Sequence, residues 1–129
     1  MPVEKPHNGG QWSDARKHSF IMSALRRAAW PVKYAAIKEA YIDDGINPKT
    51  GRRCKLHRCD ECNNCFPASE MQADHIEPVI PLEGFDSWDG VIGRMFCEVE
   101  GYQALCKACH KVKTQEENRI RRENKKKCS

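Results

Sequence analysis

The sequence predicts an α+β fold: a small zinc-stapled domain behind an N-terminal helical segment. Three observations lead there. Residues 14–43 repeat apolar side chains at helical spacing. Two short extended runs, MQADHI at 71–76 and GYQALC at 101–106, lie in the second half. Around them sit CxxC pairs, built from Cys59, Cys62 and Cys65 upstream and from Cys106 and Cys109 downstream.

The 129 residues bound the chain to one domain, or one small domain with an appendage. The composition is 40% hydrophobic but only 8% aromatic, so the core is thin and a metal staple suits it. The start, MPVEKPHNGG, lacks an apolar leader, and no run of eighteen apolar residues follows. The expected location is therefore the reducing cytoplasm, where CxxC pairs hold metals more often than they form disulfides.

Residues 1–12 are rich in Pro, Gly and Asn and are expected to be loosely ordered. Ser13 then caps a helix over 14–29, with Phe20, Ile21, Ala24, Leu25 and Ala28 on one side. Pro31 opens a second helix that runs to about Asp43 and stops at Gly45. The domain boundaries drawn on this pattern are 1–45 for the helical segment and 46–129 for the zinc domain. INPKTGR is a turn. MQADHI is a short strand ended by Pro78. Residues 86–97 place Trp88, Val91, Ile92, Met95 and Phe96 on one helical face, and a last helix covers 107–124. The three tryptophans are expected in the core or a helix seam rather than as stacking platforms. Cys97 is expected in the core, and Cys54 and Cys128 as exposed thiols.

Charge is segregated. Residues 47–58 carry five Lys/Arg and no acid, residues 66–101 carry eight acids and one Arg, and residues 119–127 carry six Lys/Arg and one acid. Basic flanks suit a phosphate backbone, although a solvated helix end explains the tail equally well. Lys113, Arg119, Arg121 and Arg122 are the candidate phosphate contacts.

Tetrahedral zinc takes four soft ligands, which two CxxC pairs supply. Cys106 and Cys109 are one pair; the other is Cys59 with Cys62 or Cys62 with Cys65, and spacing alone leaves both open. On a helix starting near Cys106, His110 points about 100° away from Cys109, and Lys113 and Thr114 lie one turn further on its side. That face is separate from the zinc. Asp74 and His75 would point oppositely from a straight strand, but a bend before Pro78 lets both serve one pocket. A carboxylate and an imidazole can hold a hard divalent cation, and a second imidazole can take a proton from water.

Together, C59-x-x-C62, A73-D74-H75-I76-x-P78 and L105-C106-x-x-C109-H110-x-x-K113-T114 resemble the HNH endonucleases. The match covers about residues 54–116. The resemblance implies a ββα-metal (His-Me finger) fold with zinc on Cys59, Cys62, Cys106 and Cys109. Its usual spacing, with the first pair ten or so residues before the Asp-His pair, favours Cys59 and Cys62 over Cys62 and Cys65. It implies Asp74 and His110 as ligands of a catalytic cation (Mg²⁺, with Mn²⁺ or Ni²⁺ able to substitute) and His75 as the general base. The implied activity is hydrolysis of DNA phosphodiesters to 5′-phosphate and 3′-hydroxyl ends. With its helical N-terminus the chain is similar to small HNH proteins of tailed bacteriophages. That likeness implies a host-cell cytoplasmic location and packaging proteins, such as a terminase, as candidate partners. The family's middle Asn is replaced by Gly101, which is expected to hold the turn through a positive φ, with Gln103 available to supply a side-chain bond instead. The alternative function is a non-catalytic zinc module that binds nucleic acid.

Overall fold

The Ser13 hydroxyl accepts a hydrogen bond from the Arg16 N–H at 3.2 Å, and helix α1 follows over Asp14–Ala28. Asp14 lies in its first turn and Arg26 and Arg27 in its last, each favourable to the helix dipole. The computed structural model describes residues 2–127; the expectation for Cys128 lies outside the described residues. Within α1 only Met22 is fully buried, while Phe20 packs on Trp12 with ring centroids 4.7 Å apart. The segment before α1 is more ordered than its composition suggests. His7 and Trp12 form an antiparallel bridge, and His7 reaches Asp14 at 2.6 Å.

The chain divides into two compact units, Met1–Trp30 and Pro31–Ser129. The division falls earlier than residue 45 because helix α2, Trp30–Glu39, contributes Ile37 to the core of the second unit. Pro31 sits in the first turn of α2 as expected.

The second helix is four residues shorter than its apolar pattern predicts, and Gly45 does not stop it. Residues Tyr41–Ile46 form strand β1, which pairs antiparallel with β2, Arg53–Arg58. The turn between them closes where it was expected, with Asn47 N–H to Arg52 O and Gly51 N–H to Asn47 O both at 2.8 Å. A Cβ at Gly45 would lie 2.4 Å from Leu56 Cδ1, the end of a side chain that would have to turn aside to admit it. Strand β3, Cys65–Pro67, adds to the other edge of β2 and completes a three-stranded sheet that the sequence reading lacked.

The second sheet has two strands. Strand β4, Met71–His75, pairs antiparallel with β5, Tyr102–Cys106, in a register that sets Asp74 opposite Gln103 and His75 opposite Tyr102. Helix α4, Lys107–Lys127, leaves directly from the end of β5. Residues 76–101 fill the connection between the strands and contain α3, Trp88–Met95, capped by the Ser87 hydroxyl on Gly90 N–H at 3.0 Å. The predicted apolar face of α3 is split: Val91 and Met95 are buried, whereas Ile92 and Phe96 are exposed. Trp30 is likewise 59% exposed rather than in the core.

The core of the second unit is Ile37, Cys59, Met71, Ala104, Leu105 and Cys106. Two of these six are cysteines of the cluster described below, so metal site and core are one structure. Among the described residues no helix is long and apolar enough to cross a membrane.

Candidate metal centre and acid–imidazole site

The sulfurs of Cys59, Cys62, Cys106 and Cys109 lie within 4.8 Å of one another. The ligands come from two tight turns. In the first, Asn63 adopts a left-handed φ of 63°, its N–H donates to Cys59 O at 2.9 Å, and Cys59 N–H donates to Asn64 O at 2.9 Å. This turn folds Cys62 back beside Cys59 and sends Cys65 into β3, opposite Arg58. Cys59 and Cys62 are therefore the upstream pair, and Cys65 stands outside the cluster. The second turn is the β5–α4 junction, which carries Cys106 at the strand end and Cys109 in the first helical turn.

Asp60 joins the two turns, and no motif in the sequence marks it. Its N–H donates to Ala104 O and its Oδ2 accepts from Ala104 N–H, each at 2.8 Å. The side chain thus completes a backbone-like pair with β5, two residues before Cys106.

The thiol energetics fit a soft divalent metal such as zinc. Burial pushes the Cys59 thiol up, but backbone N–H groups of Cys62, Cys106 and Glu61 outweigh it and bring it down to about 6. Cys109 is pushed up to about 12, first by its hydrogen bond with Cys106, then by burial and by Cys59 and Cys62. One thiolate forms readily and discourages its neighbour, which a bound dication reverses for all four. Cys54 and Cys97 are half-buried and take no part.

Where β4 packs against α4, Asp74 and His110 meet. Asp74 Oδ1 lies 3.7 Å from His110 Nε2, with the two side chains 14% and 35% exposed. Two atoms that ligate one hard cation at about 2.1 Å each are at most about 4.2 Å apart, so this pair can share an ion. Asp74 Oδ2 points elsewhere. It accepts from Gln103 Nε2 at 3.1 Å and from Lys113 Nζ, which also donates to His75 O at 3.0 Å. Lys113 is on the face of α4 that its spacing predicts, but it is engaged with Asp74.

The expected bend does not turn both side chains into one pocket: β4 stays regular through His75, which leaves the strand on the face opposite Asp74. Its ring packs on Tyr102 at 4.4 Å between centroids, and its Nε2 lies 3.0 Å from Met95 O. A carbonyl can only accept, so Nε2 carries the hydrogen and Nδ1 keeps its lone pair. Tyr102 Oη donates to the same carbonyl at 2.7 Å. Burial holds the His75 imidazole below its ordinary range, so the ring stays a neutral base at neutral pH.

Gly101 does not have a positive φ. It is a glycine because a Cβ would sit 2.4 Å from Cys97 Sγ and 3.0 Å from Cys97 Cβ. Its carbonyl accepts from Ile76 N–H at 2.9 Å, which ties down the chain just after His75. Gly101→Ala is expected to cost about 1–3 kcal/mol through overpacking. Adding Cys97→Ala should recover at least part of that loss, as read by urea denaturation of the two variants.

The candidate phosphate contacts of α4 separate into distinct roles. Arg119 is held by Glu116 at 2.5 Å and Glu123 at 2.7 Å. Arg121 Nη2 donates to Ile80 O and Asn124 Nδ2 to Leu82 O, each at 3.0 Å, which staples the loop after β4 onto the helix. Arg94 secures the same loop through Val79 O at 2.8 Å. Arg122 is exposed, as are Lys125, Lys126 and Lys127. Comparison with family models, curated proteins and solved structures finds no match to this chain.

Proposed function

We propose that the protein is a metal-dependent endonuclease of the HNH type, acting on DNA phosphodiesters. The observation that carries this reading is the approach of Asp74 Oδ1 to His110 Nε2 at 3.7 Å. A carboxylate and an imidazole so placed, on a strand and a helix rather than on loops, make a preorganised seat for a hard divalent cation. The order β4, β5, α4 supports the ββα-metal assignment, with the four-cysteine cluster holding the strand end and the helix start together.

Asp74 and His110 would hold Mg²⁺ or a substitute such as Mn²⁺. When bound, the cation would offset charge on the phosphate and on the leaving oxygen. The chain's own part is the proton. His75, with Nε2 committed to Met95 O, offers Nδ1 to an attacking water and takes its proton as the water oxygen bonds to phosphorus. The bond from phosphorus to the 3′ oxygen breaks, and that oxygen takes a proton from solvent water, which yields 5′-phosphate and 3′-hydroxyl ends. Phosphate contacts fall to the exposed basic end of α4, with Arg122 the first candidate.

The test is incubation of zinc-loaded protein with supercoiled plasmid in the presence of Mg²⁺ or Mn²⁺. Nicked or linear products that disappear with EDTA are expected. A protein that shifts the plasmid on a gel and leaves it uncut with every divalent metal is instead a zinc-stabilised nucleic-acid-binding module.

A further inference from the structure

The two oxygens of Asp74 have different environments. Oδ1 faces His110, whereas Oδ2 accepts from Gln103, its cross-strand partner, and from Lys113, one helical turn beyond His110. Lys113 also holds the His75 carbonyl. One ammonium therefore fixes both the carboxylate rotamer and the end of the strand that carries it.

We propose that Lys113 and Gln103 are positioning residues that reserve Oδ2 for themselves, so that Asp74 offers a cation one oxygen only. This rests on the Asp74–His110 cation seat of the proposed nuclease. The consequence is metal selectivity. Ca²⁺ favours six to eight oxygens and readily takes a carboxylate through both of its oxygens, whereas Mg²⁺ and Mn²⁺ accept a single oxygen and fill the rest of a six-fold shell with water. Occupation of Oδ2 by two donors removes the two-oxygen mode. It thereby selects against Ca²⁺, and the positive charge of Lys113 lowers the affinity for every divalent cation alike.

A purely structural ion pair predicts something different. If Lys113 only anchors α4 to β4, its loss weakens the fold and leaves the ratio of metal affinities where it was.

The experiment is a Mn²⁺ titration of zinc-loaded, full-length protein without DNA, followed by electron paramagnetic resonance, with Ca²⁺ as competitor. Asp74→Asn defines the background. Lys113→Met is expected to shift the Ca²⁺-to-Mn²⁺ affinity ratio toward Ca²⁺ by about fivefold or more, and Lys113→Arg to keep the wild-type ratio. Gln103→Leu should move the ratio the same way by a smaller factor, and it carries the test if Lys113→Met does not fold. Zinc content and circular dichroism report folding of each variant. A ratio unchanged in Lys113→Met and Gln103→Leu, with Mn²⁺ still bound, overturns the positioning role and leaves the cation seat standing. Absence of any Mn²⁺ binding that Asp74→Asn removes overturns both.

Discussion

Cys106→Ser is expected to abolish zinc binding and the cooperative unfolding of the Pro31–Ser129 unit. A structural zinc contributes about 10–16 kcal/mol of apparent folding free energy, and a domain of this size has about 5–15 kcal/mol in total. The thin core cannot replace that sum. Its fully buried side chains are few, and Cys59 and Cys106 are themselves part of it. The serine hydroxyl is a harder, far less acidic ligand, and it would leave three thiols crowded at the end of β5. The Asp60–Ala104 pair would still link the turns, but two hydrogen bonds contribute about 1–3 kcal/mol together. Zinc analysis should fall from one ion per chain to near none, and the thermal transition of this unit should broaden or vanish. Cys65→Ser is the control, because Cys65 lies in β3 outside the cluster. A Cys106→Ser protein that keeps its zinc and melts sharply would falsify the four-cysteine assignment, as would zinc loss in Cys65→Ser.

The parts of this structure that were readable in advance are those governed by neighbouring residues. The cap at Ser13, the turn at 47–52, the β4 strand and the start of α4 all follow from local chemistry, and the structure has each of them. The choice of Cys59 and Cys62 needed family spacing, because the left-handed Asn63 that folds the turn has no unique signature in the sequence. Strand β1 is hidden in the sequence for a physical reason. YIDDGI continues the apolar spacing of α2, and it pairs as a strand only because the hairpin turn brings β2 alongside. Gly101 looks like a backbone device in sequence, yet it answers to a side chain close in space, that of Cys97.

Charge was the least legible feature, since a lysine or arginine in sequence carries no hint of its partner. Spacing placed Lys113 correctly beside His110 but could not foresee that Asp74 would engage it. Arg121 counts toward a basic tail, yet it holds Ile80 O and so fixes the loop that follows β4. Arg119 is committed within its own helix. The net positive run at 119–127 therefore overstates the charge available to a phosphate backbone, and the salt dependence of DNA binding should be shallower than a count of those residues suggests.

On the proposed nuclease reading, His75→Ala is expected to lower the cleavage rate by about a thousandfold, within the range that a positioned general base contributes. The zinc site and fold should persist. His75 makes one hydrogen bond to Met95 O, and that carbonyl keeps the Tyr102 hydroxyl at 2.7 Å after the ring is gone. The cost in stability is therefore about 1–2 kcal/mol, from one lost hydrogen bond and the Tyr102 contact. Asp74 and His110 are untouched, so Mn²⁺ should still bind. The Met95 carbonyl selects the tautomer, so the missing function is specifically a neutral nitrogen that accepts a proton. Added imidazole can supply one, and partial rescue of the variant is expected. The wild-type rate should also hold to a pH below the ordinary histidine value of 6.5, because burial lowers the His75 pKa and the base form survives further into acid. If His75→Ala cuts plasmid within about threefold of the wild type, a group other than His75 takes the proton, since so small a loss lies far below what removal of a general base produces.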